Sequence, residues 1–283
     1  MPRRLFACTP SRLTTWLDCP RRYRMTYLDR PTPPKGPPWA HNTLGAAVHL
    51  ALARWWDLPL SRRTPPAARA LLDAAWTVDG FRDAEQAEEW RQRAGEMVQR
   101  YAETLDPHEE PLGVERTVAT RTAGLAVSGR IDRVDLSGDE LVVVDYKTGR
   151  QVLTADDARG SLALALYALA SARTLRRPCL TVELHHLPSG RVAVWRHDET
   201  SLARHLARAE AIGAEAVAAA EALLGGGGGG NAEASFPPRP GRLCSWCDFS
   251  RHCPEGLAAS GGAALPWAAL SQADQPSVEL MPP

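Results

Sequence analysis

The sequence predicts an α/β fold in which a mixed sheet is flanked by helices. Three observations carry that reading: alternating and β-branched runs between Val114 and Lys147, a second pair of such runs between Cys179 and His197, and segments of helical period around them. The chain has 283 residues, 44% hydrophobic and 23% charged, the profile of an ordinary globular protein able to bury a core. No apolar run approaches the roughly 18 residues of a membrane span. The opening MPRRLFAC is followed by polar TPSR rather than an apolar stretch, which argues against a signal peptide. The expectation is a cytoplasmic protein with no membrane partner, whose six cysteines serve as metal ligands or buried thiols rather than disulfides.

The elements follow in order. SRLTTWLDCPRRYRMTYL places apolar residues at 13, 16, 17, 23, 27 and 28, a helix interrupted at Pro20. After the proline-dense loop PTPPKGPP, TLGAAVHLALARWW reads as a helix with Leu44, Val48, Ala51, Leu52 and Trp55 on one face, and residues 66–105 as two more. GVERTVATRT, LAVSGRIDRVDL and ELVVVDYKT are strands bounded by the turn signals TAG and SGD. DDARGSLALALYALASARTL is helical from Asp156 or Asp157, CLTVELHHL and RVAVWRH form a hairpin across a PSG turn, and SLARHLARAEAIGAEAVAAAEALL is a long helix. Six glycines, 225–230, open a linker.

Net charge is zero overall but uneven along the chain. Residues 1–63 hold eleven Lys or Arg against three acids, a net of +8, whereas residues 64–110 hold eleven acids against five arginines. The basic region, with Arg21 and Arg22 at its centre, is either a set of phosphate contacts or a solvated face.

The stretch GRIDRVDLSGDELVVVDYKTGR contains one of only two lysines among 33 basic residues. A two-residue Gly138-Asp139 turn sets Asp132 opposite Asp145, with Cβ atoms roughly 4.5–5.5 Å apart. Strand alternation puts Lys147 on the face of Asp145 and turns Val144 and Tyr146 the other way. Like charges directly opposed destabilise a sheet unless a cation sits between them. Carboxylates favour hard ions, Mg2+ or Mn2+, which stabilise charge developing on a phosphodiester and acidify a bound water. Lys147 would orient or deprotonate that water, and arginine could not serve as the base. Paired surface Asp and Lys without catalysis remain the plain alternative.

GRIDRVD followed by VVVDYKTG resembles the PD-(D/E)xK nuclease motif in its RecB-type form, as in RecB and AddB nuclease domains and CRISPR-associated RecB-like exonucleases. That resemblance implies a restriction-endonuclease-like sheet and metal-dependent DNA cleavage, with catalysis by Lys147, Asp145 and Asp132. It implies a metal held by His49 (in GAAVH, after Gly45), Asp132, Asp145 and the Tyr146 carbonyl. The family's Gln-x-x-x-Tyr helix corresponds to LALALYALA, where Tyr167 is present as a DNA contact or a packing residue and Ala163 replaces the glutamine. Glu115, on a preceding strand, is expected to be structural.

Cys244, Cys247 and Cys253 form C-x2-C-x5-C and need a fourth ligand, which Cys19 offers, with Cys8 as the alternative. Thiolates select zinc or iron–sulfur, and His252 would be a zinc ligand. RecB-like families with a 4Fe-4S cluster resemble the arrangement of one cysteine before the core and three after it. The expected organisation is a helical region 1–110 contributing Cys19 and His49, a nuclease core 111–224, a linker 225–243, a cysteine-cluster module 244–260 and a disordered tail 261–283. Cys179 is expected in the core. The function implied is a DNA nuclease, an exonuclease of repair or recombination acting on single strands or duplex ends. A DNA-binding scaffold without turnover is the alternative. No G-x-x-x-x-G-K-[ST] motif occurs, so any helicase would be a separate partner.

Overall fold

Proline sets the start of the first two helices. The computed structural model describes residues 5–225, 232–262 and 264–271. A strand the sequence does not reveal, β1 (Phe6–Cys8), leads into α1 (Pro10–Asp18) and α2 (Pro20–Tyr27). Proline lacks an N–H and suits a first helical turn, so Pro10 opens α1 and Pro20 opens α2. Extended Cys19 between them (φ −165°) caps both helices.

A helical layer follows, made of α3 (Ala40–Trp56), α4 (Pro65–Ala75) and α5 (Ala84–Glu103). Its apolar stripes, with Val48, Leu52 and Trp55 of α3 fully enclosed, pack on Val142, Val144 and Tyr146 of the sheet. Each such side chain contributes about 1.5–3 kcal/mol by burial.

The strands are β2 (Gly113–Arg121), β3 (Leu125–Ser137) and β4 (Glu140–Lys147), then, after α6 (Ala155–Gly160) and α7 (Leu162–Leu175), β5 (Cys179–His186) and β6 (Arg191–Arg196). They form a six-stranded mixed sheet ordered β1-β3-β4-β5-β6, with β2 also paired to β3. Pairing is parallel for β1 with β3 and β4 with β5, and antiparallel elsewhere. The face away from α3 is covered by α7, and α8 (Glu199–Gly225) closes a third cluster with Leu13, Trp16 and Leu125.

The β3–β4 hairpin has the register expected from its turn, from Ser137–Glu140 to Arg133–Val144. Gly138 takes φ +61°, the positive value required at the first central residue of a II′ turn. Because β2 pairs along residues 126–134 of β3, both β1 (at 125–127) and β4 (at 133–137) must lie on its opposite edge. Residues 128–132 therefore have no strand partner on that edge.

Beyond α8 come α9 (Ala232–Ser235), two 3-10 turns at Arg242–Trp246 and Ser250–His252, and α10 (Pro254–Ser260). Apart from Gly225, the glycine run read as a linker lies outside the described residues. Residues 264–271, expected to be disordered, instead end in α11 (Ala268–Ser271), because Leu270 is buried and the Ala40 N–H bonds to the Pro266 carbonyl at 3.1 Å. The rest of the expected tail, 272–283, lies outside the described residues. Among the described residues no helix is long and apolar enough to cross a membrane.

Candidate active site

A cleft of about 1350 Å³ opens over the unpaired stretch of β3, walled by α3, the end of β4 and α7. On α3, Gly45 and His49 lie one turn apart and share the cleft face. A Cβ at position 45 would stand 3.4 Å from Thr148 Oγ1, so glycine lets the helix lie close to the end of β4.

His49, Glu115 and Asp132 each place one ligand atom within 4.8 Å of the others. His49 Nδ1 is 3.2 Å from Asp132 Oδ1, and the other Asp132 oxygen accepts the Tyr146 N–H at 2.8 Å. Tyr146 thus contributes its N–H to the site, in addition to the carbonyl that the sequence reading assigns to the metal. Burial opposes the charged form of His49, but the Asp132 hydrogen bond and the charges of Asp132, Asp145 and Glu115 outweigh it and raise the pKa. Burial likewise raises Glu115, against the pull of Arg130, whose Nε lies 2.7 Å from Oε2. An imidazole and two carboxylates in a field that favours protons form a donor set suited to a divalent cation.

Glu115, expected to be structural, enters this group through a break in the ladder. Pairing passes from Val114–Arg133 to Arg116–Ile131 and skips Glu115–Asp132, and Glu115 has φ +47°. Such a conformation in a non-glycine residue costs on the order of 1–3 kcal/mol. It frees the side chain from strand alternation, the rule by which sequence assigns faces. Glu115→Gln is expected to weaken Mn2+ binding by this group roughly 10–100-fold, read by Mn2+ titration of the full-length protein. An unshifted Mn2+ titration would return Glu115 to a structural role.

Asp145 and Lys147 share a face as alternation requires, with Lys147 Nζ 2.5 Å from Asp145 Oδ2. The ladder stops at Arg133–Val144, one step short of Asp132 and Asp145, and Asp145 stays outside the three-residue group. Burial raises the Asp145 pKa; Lys147 opposes this and Asp132 adds to it. The segment after Lys147 is tied to β5: the Lys147 carbonyl accepts from Leu187 N–H (2.9 Å), and the Gly149 carbonyl from His186 Nε2 (2.7 Å). Behind the site, Arg133 is 4% exposed, paired with Asp135 at 2.8 Å and 3.4 Å from the Tyr101 and Tyr146 hydroxyls. Tyr101 reaches His185 Nδ1 at 2.8 Å, so a buried polar network holds the Tyr146 ring from behind.

Tyr167 both packs and lines the cleft. Its ring lies on Gly129, where a Cβ would be only 2.5 Å from Cε1, which accounts for the glycine of GRIDRVD. Arg21, read as a phosphate contact, is unavailable for one: it is 6% exposed and held by Glu255 at 2.5 Å, Glu233 at 3.5 Å and Cys253 Sγ at 3.8 Å. Arg22 pairs with Asp18 at 3.7 Å beside the cysteines. The basic residues lining the cleft are Arg54, Arg130, Lys147 and Arg150. Arg130 and Arg150 stand near the two ends of the hairpin stretch, a position that could have singled them out.

Cys19, Cys244, Cys247 and Cys253 line one pocket of about 40 Å³. Backbone N–H groups of Arg22, Gly241 and Gly256 donate to the sulfurs of Cys19, Cys244 and Cys253 at 3.5, 3.3 and 3.4 Å. A Cβ at Gly256 would stand 3.2 Å from Cys253 Sγ and 3.6 Å from Cys244 Sγ. Cys8 and Cys179 take no part: each is buried in a core cluster, and burial pushes their thiols up to about 11 and about 12. His252 Nε2 lies 3.0 Å from the Pro34 carbonyl, to which it can donate.

A family model for the PD-(D/E)XK nuclease superfamily matches residues 7–254. The crystal structure of a "putative exonuclease" from Eubacterium rectale is similar at TM-score 0.50 and 11% identity, over 87% of this chain and 88% of that one, a likeness of fold. The crystal structure of SSO0001 gives TM-score 0.41 and 14% identity over 90% and 89% of the two chains. No curated protein matches the sequence.

Proposed function

The chain belongs to the PD-(D/E)XK nuclease superfamily, and from that premise we propose that it is a RecB-like deoxyribonuclease, an exonuclease of DNA repair or recombination. The observation that carries this reading is the convergence of His49, Glu115 and Asp132 beside the Asp145–Lys147 pair, where one edge of β3 is free between β1 and β4. His49, Asp132 and Asp145, with Glu115 as a further carboxylate, would hold Mg2+ or Mn2+. When bound, such an ion supplies positive charge to a reacting phosphodiester and acidifies water. Tyr146 fixes Asp132 through its N–H. Lys147, once it has given its own proton to solvent and stands as the neutral amine, orients the attacking water and takes its proton. Arg54, Arg130 and Arg150 supply the cleft's further positive charge to the DNA phosphates. Ala163 in place of glutamine leaves Tyr167 as the α7 contribution.

The four cysteines fit a 4Fe-4S cluster. Four thiols share one pocket, and three of them accept backbone N–H donors. The role of this group is a clip between the ends of the chain.

Linear and circular single-stranded DNA of equal length, incubated with Mn2+, test the exonuclease reading. Degradation of the linear form alone is expected. Equal cutting of the circle would make the protein an endonuclease.

A further inference from the structure

The far end of the cleft carries an aromatic cluster that phosphodiester hydrolysis does not use. Trp246 and His41 both line the cleft and are half-buried. Their rings lie 5.7 Å apart, and Trp246 packs at 5.3 Å on Trp39. Trp39 is the fixed backing: it is buried, and its indole N–H donates to Asp248 at 2.8 Å. Trp246 ends the 3-10 turn Arg242–Trp246, between Cys244 and Cys247, so two residues of the cysteine pocket set its position. His41 Nδ1 is buried without a hydrogen-bond partner, and burial lowers the pKa, so its ring is neutral near pH 7. The cluster offers ring surface with little charge in a cleft whose other lining includes four basic side chains.

Distance along α3 relates the two ends. His41 precedes His49 by eight residues, about 12 Å at 1.5 Å per residue. A stacked strand covers that distance in roughly three or four nucleotides. An indole and an imidazole present ring faces to bases only when the bases are unpaired.

We infer that Trp246, backed by Trp39 and flanked by His41, is a stacking platform for an unpaired nucleobase of the strand whose phosphate lies at the His49–Glu115–Asp132 group. The cleft thereby selects single-stranded DNA over intact duplex, and the cysteine module presents the platform. The inference rests on reading the cleft as a nuclease site.

The test is binding of the full-length protein, in EDTA, to fluorescein-labelled oligodeoxythymidylate and to an abasic strand of equal length, followed by anisotropy. Trp246→Ala should weaken oligodeoxythymidylate binding on the order of ten-fold, and Trp246→Phe should restore most of it. The abasic strand should bind wild type and Trp246→Ala alike. An Ala variant with normal cysteine-site metal content that binds oligodeoxythymidylate as wild type does overturns the platform. So does equal weakening toward both strands. If Trp246→Ala does not fold, His41→Ala carries the test, with a several-fold loss on oligodeoxythymidylate alone expected and no loss overturning the proposal. A parallel incubation of wild type with Mn2+ and both strand forms keeps the premises apart: absence of cleavage overturns the nuclease reading, whereas the binding comparison decides the platform.

Discussion

Lys147→Ala is expected to remain folded and to cleave DNA roughly 10²–10⁴-fold more slowly than wild type, the range for loss of a positioned proton acceptor. The amine is half-exposed at the cleft, so its removal costs little packing. Asp145 suffers more. Its carboxyl is already raised by burial and by Asp132, and loss of the ammonium 2.5 Å away leaves only the weaker influence of His49 to oppose protonation. Single-turnover cleavage at saturating Mn2+ measures the effect. Lys147→Arg separates two roles: arginine keeps the charge but does not give up its proton near neutral pH. An Arg variant as slow as the Ala variant supports proton transfer, and full activity in Arg reduces the role to electrostatics. Wild-type rates in Lys147→Ala would remove the residue from the mechanism.

Cys19→Ser is expected to lower soluble yield and to lose iron and sulfide together, not merely to lower activity. Cys19 and Cys244 are 225 positions apart, and a cross-link closing a loop of that size stabilises by about 5 kcal/mol on chain-entropy grounds. That is comparable to the roughly 5–15 kcal/mol by which whole domains are stable. Anaerobic purification with iron, sulfide and zinc analysis, followed by thermal unfolding, reads out both effects. A Cys19→Ser protein with normal yield and full iron and sulfide would count against the clip. Stoichiometric zinc without sulfide in wild type would replace the cluster assignment.

Much of the site is legible because it rests on periodic rules. The SGD turn sets the β3–β4 register, and strand parity then places Asp145 with Lys147 on one face. Helical period aligns Gly45 with His49, which the family resemblance singles out, and spacing groups Cys244, Cys247 and Cys253, to which the same resemblance adds Cys19. What escapes the sequence departs from those rules. Glu115 reaches the metal group through a left-handed residue that breaks the alternation used to assign faces. Strand β1 is three residues long, too short for a pattern, and its pairing with β3 helps create the edge gap. Arg21 looks like a phosphate ligand by local charge, but its partners Glu233 and Glu255 lie more than 200 residues away in the chain. The 264–271 segment is ordered by α3 and α5, through the Ala40–Pro266 and Gln86–Ser271 hydrogen bonds, contacts that no local composition announces.

The most direct test of the central claim is nucleotide release from an end-labelled single strand by the full-length protein, with Mn2+, with EDTA, and with Asp132→Asn in Mn2+. Release by wild type in Mn2+ alone is the predicted result. Equal release in EDTA, or by Asp132→Asn at the wild-type rate, contradicts a metal-dependent nuclease centred on Asp132.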